Sequence, residues 1–411
     1  MGYFDNFKGF FKRQSKNFKV LLVRDIINSL FGNLIGPYSS IYMNKLGAEA
    51  VEIGFLSSIS SFVTMVLSVP SGLLVDRVKR LKRLFLGGRL LNLPISLVYA
   101  TAKRWEVFIV TQIWGGILGR IETPAMSIIS IESLKNEDRV TGMTISRTMT
   151  SAVGLLSPML AAFLITYFGG LENVDSFRPL FIIQFFVGIS IFILLATKLE
   201  EPNFERTTTE SGIKSTFSIF KKVPGLKMIL LMNILNGLFI GMRSPLIQLY
   251  AYQVKKANVY ILALQGTIGT AVNLMFSIPM GRIADSVGRR KLAYISQLFY
   301  AACVLSAVLT PDTNPEYFLL YNFFSALGST MHVGWDAFLQ EYIPLDVRGR
   351  WLGISSLVNA IVNIPAPILG GLIWNINPDY LWWISLVYYA FLAIPLMMRI
   401  PERDRGTQEK N

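Results

Sequence analysis

Cysteine, histidine and charged residues are scarce in this sequence. Of its 411 residues, one is cysteine (Cys303), one is histidine (His332), and 16% are charged. One cysteine cannot form a disulfide within the chain. Because Cys303 lies in an apolar stretch, we expect it to be a small buried hydrophobe. A soluble protein has about 25% charged residues. The composition therefore excludes a fold held by internal disulfides and argues against an ordinary soluble protein.

The sequence also lacks the short motifs of common enzymes. It has no phosphate-binding glycine loop, no H-E-x-x-H helix and no serine elbow. These absences argue against an ATP-driven pump and against the common intramembrane hydrolases. We therefore expect a protein that is not an enzyme and that uses no metal or other cofactor.

Apolar residues are abundant instead. They make up 52% of the chain, and the mean hydropathy is +0.47. The net charge of +13 could suggest a nucleic-acid partner. However, the basic residues lie in short loops between long apolar runs, not along one polar face. We therefore expect the lipid bilayer, and not nucleic acid, as the partner of this surface.

Long apolar runs recur along the whole chain. A membrane span needs about 20 mostly apolar residues and must be helical, because lipid cannot satisfy open backbone groups. The sequence therefore predicts an all-α membrane protein with twelve transmembrane helices, near residues 18–43, 51–75, 83–102, 105–131, 141–167, 178–198, 226–251, 259–284, 291–310, 316–343, 350–374 and 380–400.

The distribution of Lys and Arg predicts the orientation of these spans. With both termini in the cytoplasm, 28 of the 39 basic residues fall at inner segments and span ends, 6 fall in outer loops and 5 lie inside spans. An excess of Lys and Arg marks the cytoplasmic side. We expect a multi-pass protein of the cell membrane with both termini cytoplasmic.

Two halves of the chain resemble each other. SVPSGLLVDRVKR at 68–80 aligns with SIPMGRIADSVGR at 277–289, and the same separation of 209 residues relates Pro158 to Pro367. Six spans per half is an even number, so the two repeats share one orientation and are related by an axis along the membrane normal. The predicted parts are an amphipathic cytoplasmic tail at 1–17, a six-helix bundle at 18–199, a polar cytoplasmic linker at 200–225, a pseudo-symmetric six-helix bundle at 226–400 and a cytoplasmic tail at 401–411.

The turn after the second span carries a recognisable pattern. Parallel six-span repeats with G-x-L-x-D-R-x-G-R at this turn resemble the major facilitator superfamily, and a second copy follows in the second half. The first copy has Lys79 in place of the second glycine, and the second has Ser286 in place of an arginine. The resemblance implies the fold of that family, twelve helices in two bundles, and the function of a secondary transporter.

The resemblance also implies residues that hold an inner gate. By resemblance, Asp76 and Asp285 are expected to lock it in the outward-open state. Separately, an aspartate near a helix N-terminus is stabilised by the helix dipole. Basic clusters that only fix the topology are the alternative for the arginines. The predicted gate consists of Gly72, Asp76, Arg77, Arg139, Arg147, Gly281, Asp285, Arg289 and Arg348.

Ionisable residues inside spans cost about 2.5–3.5 kcal/mol each at the membrane centre, so each needs a role. The resemblance implies that spans one, four, seven and ten line a central cavity, and all but Arg89 and Arg147 lie on those four. The complete set is Arg24, Asp25, Arg89, Arg120, Glu122, Arg147, Arg243, His332 and Asp336.

In the first half, Asp25 and Glu122 are the candidate proton-coupling carboxylates. Asp25 lies on a polar stripe of span one, with an ion pair to Arg147 or Arg120 as the alternative. Arg120 and Glu122 are two residues apart and cannot face the same cavity. Glu122 is favoured as the group that faces the substrate.

In the second half, the tenth span carries His332 and, one turn further on, Asp336. A histidine and a carboxylate at this spacing can exchange a proton. The alternative for His332 is a hydrogen bond to a neighbouring helix. Arg243 on span seven has no counterpart in the first half and is a candidate anchor for an anion. The predicted substrate-binding residues are Arg243, Asn28, Asn236, Glu122 and Trp335.

The favoured function is secondary active transport of a small organic solute by alternating access, coupled to protons. An anionic solute is favoured because the arginines within spans outnumber the acids there five to three. A proton-driven exporter of multiple drugs or lipids is the alternative. We expect a monomer.

Overall fold

The computed structural model describes residues 9–78, 80–201, 223 and 225–401. Within this part of the chain, the helices form twelve rods, α1 to α12, one for each predicted span. Those of the first half are α1 (Lys16–Phe31 and Ser39–Lys45), α2 (Ala50–Arg77), α3 (Leu81–Asn92 and Pro94–Thr101), α4 (Val107–Glu132), α5 (Arg139–Gly154 and Ser157–Tyr167) and α6 (Arg178–Lys198).

The second half has the same order of rods. They are α7 (Leu226–Arg243 and Ile247–Gln253), α8 (Val259–Val287), α9 (Arg289–Leu309), α10 (Leu319–Tyr342), α11 (Leu345–Val362 and Pro365–Ile376) and α12 (Tyr380–Val387 and Ala393–Met398, joined by a π-helical turn at Tyr388–Leu392).

Proline explains where the rods are interrupted. Proline has no N–H to donate and its ring clashes with the preceding turn, so a helix stops or bends there. The breaks in α1 and α7 occur at Pro37 and Pro245, which are 208 residues apart, like the matched segments of the repeat. α2 and α8 both continue through an internal proline, Pro70 and Pro279. The repeat therefore extends to the local irregularities of the helices.

Nine of the rods in the described part are long and apolar enough to cross a membrane by length and composition. The three others are α1, α4 and α10. They carry six of the nine ionisable residues found within predicted spans, namely Arg24, Asp25, Arg120, Glu122, His332 and Asp336. Polar side chains in these three rods lower their hydropathy.

The described residues group into two compact units that do not coincide with the two halves of the sequence. Unit 1 takes the described residues within Met1–Ala48, Ile59–Thr208 and Asn258–Thr267, and unit 2 takes the other described residues. Unit 1 thus includes the start of α8, a rod of the second half, and unit 2 includes the start of α2, a rod of the first half. The two exchanged segments, Glu49–Ser58 and Asn258–Thr267, are 209 residues apart at both ends. The exchange therefore follows the sequence repeat. The predicted boundary at 200–225 falls mostly outside the described residues and stays a prediction.

Glycine allows the exchanged segment of unit 2 to lie directly on α11. A Cβ atom at Gly54 of α2 would lie 2.2 Å from the carbonyl oxygen of Pro367. A Cβ atom at Gly371 would lie 2.5 Å from the Cα atom of Val51. Side chains at either glycine would separate the two backbones, so this packing depends on their absence.

The exchanged segment of unit 1 is held by hydrogen bonds to backbone carbonyls. The Thr267 hydroxyl donates to the carbonyl oxygen of Leu155 in α5 at 3.1 Å. The Tyr38 hydroxyl, on a fully buried ring, donates to the carbonyl oxygen of Val259 at 3.1 Å. These bonds pair the start of α8 with α5 and with the break in α1.

Within unit 1, the segment before α1 is docked on the turn between α4 and α5. Arg13 Nη2 and Gln14 Nε2 donate to the carboxylate of Asp138 at 2.6 and 2.8 Å. Ser15 caps α1 by accepting from the N–H of Phe18. The rest of the predicted amphipathic tail, with Tyr3, Phe4 and Phe7, lies outside the described residues, as does the C-terminal tail beyond residue 401.

Within unit 2, the second copy of the signature holds the end of α12. Arg290 Nη2 donates to the carbonyl oxygens of Met397, Met398 and Ile400 at 3.1, 3.2 and 2.7 Å. The last carbonyls of a helix lack partners within it, and a guanidinium also suits the negative end of the dipole. Arg290 therefore caps α12.

Candidate substrate site

Unit 2 contains a cavity of about 620 Å³ lined by both polar and apolar side chains. Its lining comes from α7, α9, α10, α11 and α12, and it includes four of the predicted site residues: Arg243, Asn236, His332 and Trp335. The size lies within the range of small-molecule sites. The sequence did not anticipate the other lining residues, which include Asn233, Tyr300, Tyr321, Ser325, Ser329, Asn359, Asn363 and Tyr389.

Arg243 is the cation of this cavity. It is the last residue of the first α7 helix, which ends at the break before Pro245, so the negative end of the helix dipole favours its charge. Its side chain is 6% exposed. Nε donates to the carbonyl oxygen of Phe239 at 3.2 Å, while Nη1 is buried without a hydrogen-bond partner.

Two aromatic rings fix the guanidinium of Arg243. Its central carbon lies 5.5 Å from the ring centroid of Trp382 and 5.6 Å from that of Tyr389. A cation over a ring face is stabilised by the ring quadrupole. In the part of the chain that the structure describes, neither Asp nor Glu lines the cavity or pairs with Arg243. The site therefore has a positive charge that no described carboxylate neutralises.

His332 lines the same cavity, and its Nδ1 atom is buried without a hydrogen-bond partner. Its ring centroid lies 6.1 Å from that of Tyr300. Trp335 is buried and stacks on Phe338 at 5.4 Å. Asp336 is exposed and is not among the lining residues. The structure thus brings His332 to Arg243's cavity and leaves Asp336 one helical turn outside it.

Helical spacing could have revealed the asparagines that the sequence analysis missed. Asn233 and Asn236 are three residues apart on α7, and Asn359 and Asn363 are four apart on α11. Residues at these spacings share a helix face. Polar pairs on one face of an apolar helix are a usable signal. Which two rods face each other is not encoded in such spacing.

In unit 1, a second cavity of about 450 Å³ is lined by Asp25 and Arg147 together with hydroxyl and apolar side chains. The partner of Asp25 is its neighbour Arg24, with Nη1 2.5 Å from Oδ1. The two alternatives named from sequence, Arg147 and Arg120, are not its ion-pair partners. Arg120 donates to the Thr64 hydroxyl at 2.9 Å.

Asn28 lines a smaller pocket of unit 1, about 150 Å³, with Arg89 and Asn92. Glu122 is 8% exposed and accepts a hydrogen bond from Asn92 Nδ2 at 3.4 Å. It packs against Gly88, where a Cβ atom would lie 2.8 Å from its Cγ atom. Glu122 thus faces α3, and it is not among the described lining residues of these cavities. Its predicted contact with substrate stays a prediction.

The predicted gate residues lie near the C-terminal ends of α2 and α8 and at the starts of α5, α9 and α11, except Arg147, which lies within α5. Arg289 forms an ion pair with Glu341 of α10. Arg348 donates to the carbonyl oxygens of Gln340 and Ile343, the latter at 3.3 Å. Arg139 has a buried Nε atom without a hydrogen-bond partner. Gly72, Asp76 and Arg77 lie in α2 and Gly281 and Asp285 in α8. The side chains of Asp76, Arg77 and Asp285 lie outside the described set.

No described group of three or more His, Cys, Asp or Glu side chains is placed to hold a metal ion.

The family model described as Major Facilitator Superfamily matches residues 25–272 and again 229–411. The chain belongs to the major facilitator superfamily. The resemblance seen in the signature turns is thereby confirmed. An uncharacterized MFS-type transporter of Methanocaldococcus jannaschii is 22% identical over 393 residues, which cover 92% of this chain and 93% of the relative. The Multidrug resistance protein 1 of Bacillus subtilis is 22% identical over 398 residues, 93% of this chain and 96% of that protein.

Solved structures of the superfamily show the same fold. The nucleoside transporter NupG aligns over 94% of this chain and 100% of its own, with a TM-score of 0.76 and 13% identity. A bacterial homologue of the iron transporter ferroportin, in an inward-facing state, aligns over 94% and 99% with a TM-score of 0.74 and 14% identity. This major facilitator chain is therefore an all-helical, multi-pass membrane protein and a secondary transporter, not an enzyme.

Proposed function

We propose that this major facilitator protein transports a small organic anion, which it binds in the cavity of unit 2. One observation carries the proposal: the guanidinium of Arg243 is buried in that cavity, with a free Nη1 atom and no described carboxylate beside it. A buried charge without a partner is costly. An anionic ligand supplies the missing charge, and the planar guanidinium suits a carboxylate.

His332 supports coupling to protons. It lines the same cavity, and its Nδ1 atom has no hydrogen-bond partner. A proton on this ring adds positive charge to a site that already holds Arg243, so anion and proton favour each other's binding. Asp336, Asp25 and Glu122 are the further coupling candidates. The proposal is thus uptake or release of an anion together with a proton.

Transport proceeds by alternating access. Rocking of the two six-helix halves of the sequence requires α2 to separate from α11, and α8 from α5, since these rods belong to different halves. We assign the turns after α2 and α8, with Arg289 and Arg348, to the inner gate predicted from the sequence. We further propose that the protein acts as a monomer in the cell membrane, with both termini cytoplasmic.

A proton-driven exporter of drugs or lipids is the second candidate. Two observations favour it: distant relatives are named as multidrug resistance proteins and efflux pumps, and aromatic rings line much of the cavity of unit 2. Such exporters accept varied apolar solutes. On this alternative, Arg243 is a structural cation held by Trp382 and Tyr389.

Transport in proteoliposomes separates the two candidates. Vesicles loaded with a pH-sensitive dye are exposed in turn to anionic, neutral and cationic solutes, with wild type, Arg243→Gln and Asp336→Asn. We expect proton movement with organic anions and its loss in Arg243→Gln. Proton movement with lipophilic cations that survives in Arg243→Gln would favour the exporter. Proton movement indifferent to Asp336→Asn would remove that residue from the coupling role.

A further inference from the structure

The cavity of unit 2 has chemistry beyond its positive charge. Aromatic rings run in sequence from Arg243 to His332. Tyr389 lies under the guanidinium at 5.6 Å, its centroid is 5.6 Å from that of Tyr300, and Tyr300 is 6.1 Å from His332. Neighbouring rings at 4.5–7 Å interact favourably, and a further ring can join such a series by stacking or edge contact. The wall beside the guanidinium therefore suits a flat, aromatic body.

Amides line another part of the cavity. Asn233 and Asn236 of α7 and Asn359 and Asn363 of α11 are all among its lining residues. Glycine brings the two rods close: a Cβ atom at Gly241 of α7 would lie 2.9 Å from Asn363 Oδ1. Each amide both donates and accepts hydrogen bonds without carrying charge. Such side chains can bind hydroxyl, keto or ring-nitrogen groups.

The described lining lacks an anionic group that would neutralise a protonated amine. Neither Asp nor Glu is present there, and Arg243 already provides one uncompensated positive charge. A protonated amine in this cavity would meet the like charge of Arg243, which disfavours its binding. We therefore expect the cavity to bind an aromatic acid more tightly than an aromatic amino acid or an aromatic amine.

We propose that the unit 2 cavity selects aromatic carboxylates that carry no basic amine. This inference rests on the proposed function and narrows it from organic anions to one class. The carboxylate pairs with Arg243, the ring lies along Tyr389 and Tyr300, and polar ring substituents meet the asparagines of α7 and α11. His332 stands at the far end of the aromatic wall.

Equilibrium binding to the purified full chain tests the class. Isothermal titration compares four probes of similar size: benzoate, cyclohexanecarboxylate, benzamide and benzylamine. We expect benzoate to bind at least about tenfold more tightly than benzamide and benzylamine, since a charge-assisted contact is worth about 1.5–3 kcal/mol. Over cyclohexanecarboxylate we expect a preference of about two- to tenfold, since a ring contact is worth about 0.5–1.5 kcal/mol. In Arg243→Gln the preference for benzoate over benzamide is expected to vanish. In Tyr300→Leu the preference over cyclohexanecarboxylate is expected to vanish.

Lys255→Gln is the matched control. Lys255 is also a cation of unit 2, 7% exposed and 5.4 Å from an aromatic ring centroid, but it is not among the lining residues of the cavity. Its loss is expected to leave all four affinities unchanged, which supports the assignment. A decrease equal to that of Arg243→Gln would overturn it.

The outcomes separate this inference from the proposed function. If cyclohexanecarboxylate binds as tightly as benzoate and both depend on Arg243, the aromatic class is wrong and the anion transporter stands. If benzylamine binds most tightly, both are wrong. Absence of binding by every probe at about 10 mM, where a millimolar site would be nearly saturated, also overturns the aromatic class.

Discussion

Replacing Gly54 with alanine probes the contact between α2 and α11. The added Cβ atom would lie 2.2 Å from the carbonyl oxygen of Pro367 and 2.8 Å from its carbonyl carbon. Ordinary contact begins at 3.4 Å, so the backbones must separate by about 1 Å. Overpacking of this kind costs about 1–3 kcal/mol. The contact belongs to unit 2, and the variant acts on its stability directly.

The matched control is Gly269→Ala in α8. A Cβ atom there meets nothing within 4 Å. Alanine is better than glycine inside a helix by about 0.5–1 kcal/mol, and this gain applies to both variants. The difference between the two variants therefore isolates the overpacking cost of about 1–3 kcal/mol.

Thermal unfolding of the purified protein, followed by tryptophan fluorescence, measures that difference. One kcal/mol corresponds to about 2–4 °C for a domain of about 200 residues, so Gly54→Ala is expected to melt about 2–12 °C below Gly269→Ala. The packed arrangement of α2 and α11 would become about 5- to 150-fold less favourable. Equal melting temperatures would refute the close packing at Gly54.

Three further predictions concern parts of the structure away from the cavity. Arg290→Gln removes the cap of α12, and hydrogen bonds to charged groups are worth about 1.5–3 kcal/mol. We therefore expect faster proteolysis of the C-terminal segment than in wild type, and an unchanged rate would contradict the capping role of Arg290. Asp138→Asn weakens the partly exposed pair with Arg13, so a loss of at most about 1 kcal/mol should speed tryptic cleavage at Arg13 several-fold, whereas unaltered cleavage would show that the segment is held otherwise. Burial lowers the pKa of Lys255, against opposing contributions from nearby carboxylates. Because the folded state then releases the proton at a lower pH than the unfolded state, the stability of the fold should rise as the pH passes from the lowered pKa towards 10.5. We expect Lys255→Gln to reduce this rise, measured as the change of melting temperature with pH.

The sequence predicted the helical architecture well because hydropathy and charge bias act over whole segments. Twelve runs became twelve rods, and the family match confirmed the fold. The repeat was visible in the turns at 68–80 and 277–289. The exchange of Glu49–Ser58 and Asn258–Thr267 between units was not predicted, because it depends on which rods pack together.

The candidate site was predicted in part. Arg243 and His332 were predicted as site residues because a charge or a histidine in an apolar span is costly and needs a role. Tyr300 and Asn363 were not singled out, since an uncharged polar side chain in a span is a weaker signal than a charge. Asp25 was predicted as a proton-coupling carboxylate, with an ion pair to Arg147 or Arg120 as the alternative, and the structure pairs it with the adjacent Arg24. Adjacent residues on a helix point in different directions, so residue spacing alone did not indicate this pair.

The charge of the transported solute tests the central claim most directly. The measurement is the ratio of benzoate to benzylamine uptake in proteoliposomes, for wild type and for Arg243→Gln, with correctly folded protein verified by its melting temperature. Removing the one uncompensated cation of the described cavity should lower this ratio about tenfold or more. An unchanged ratio would contradict the claim that Arg243 selects the anion.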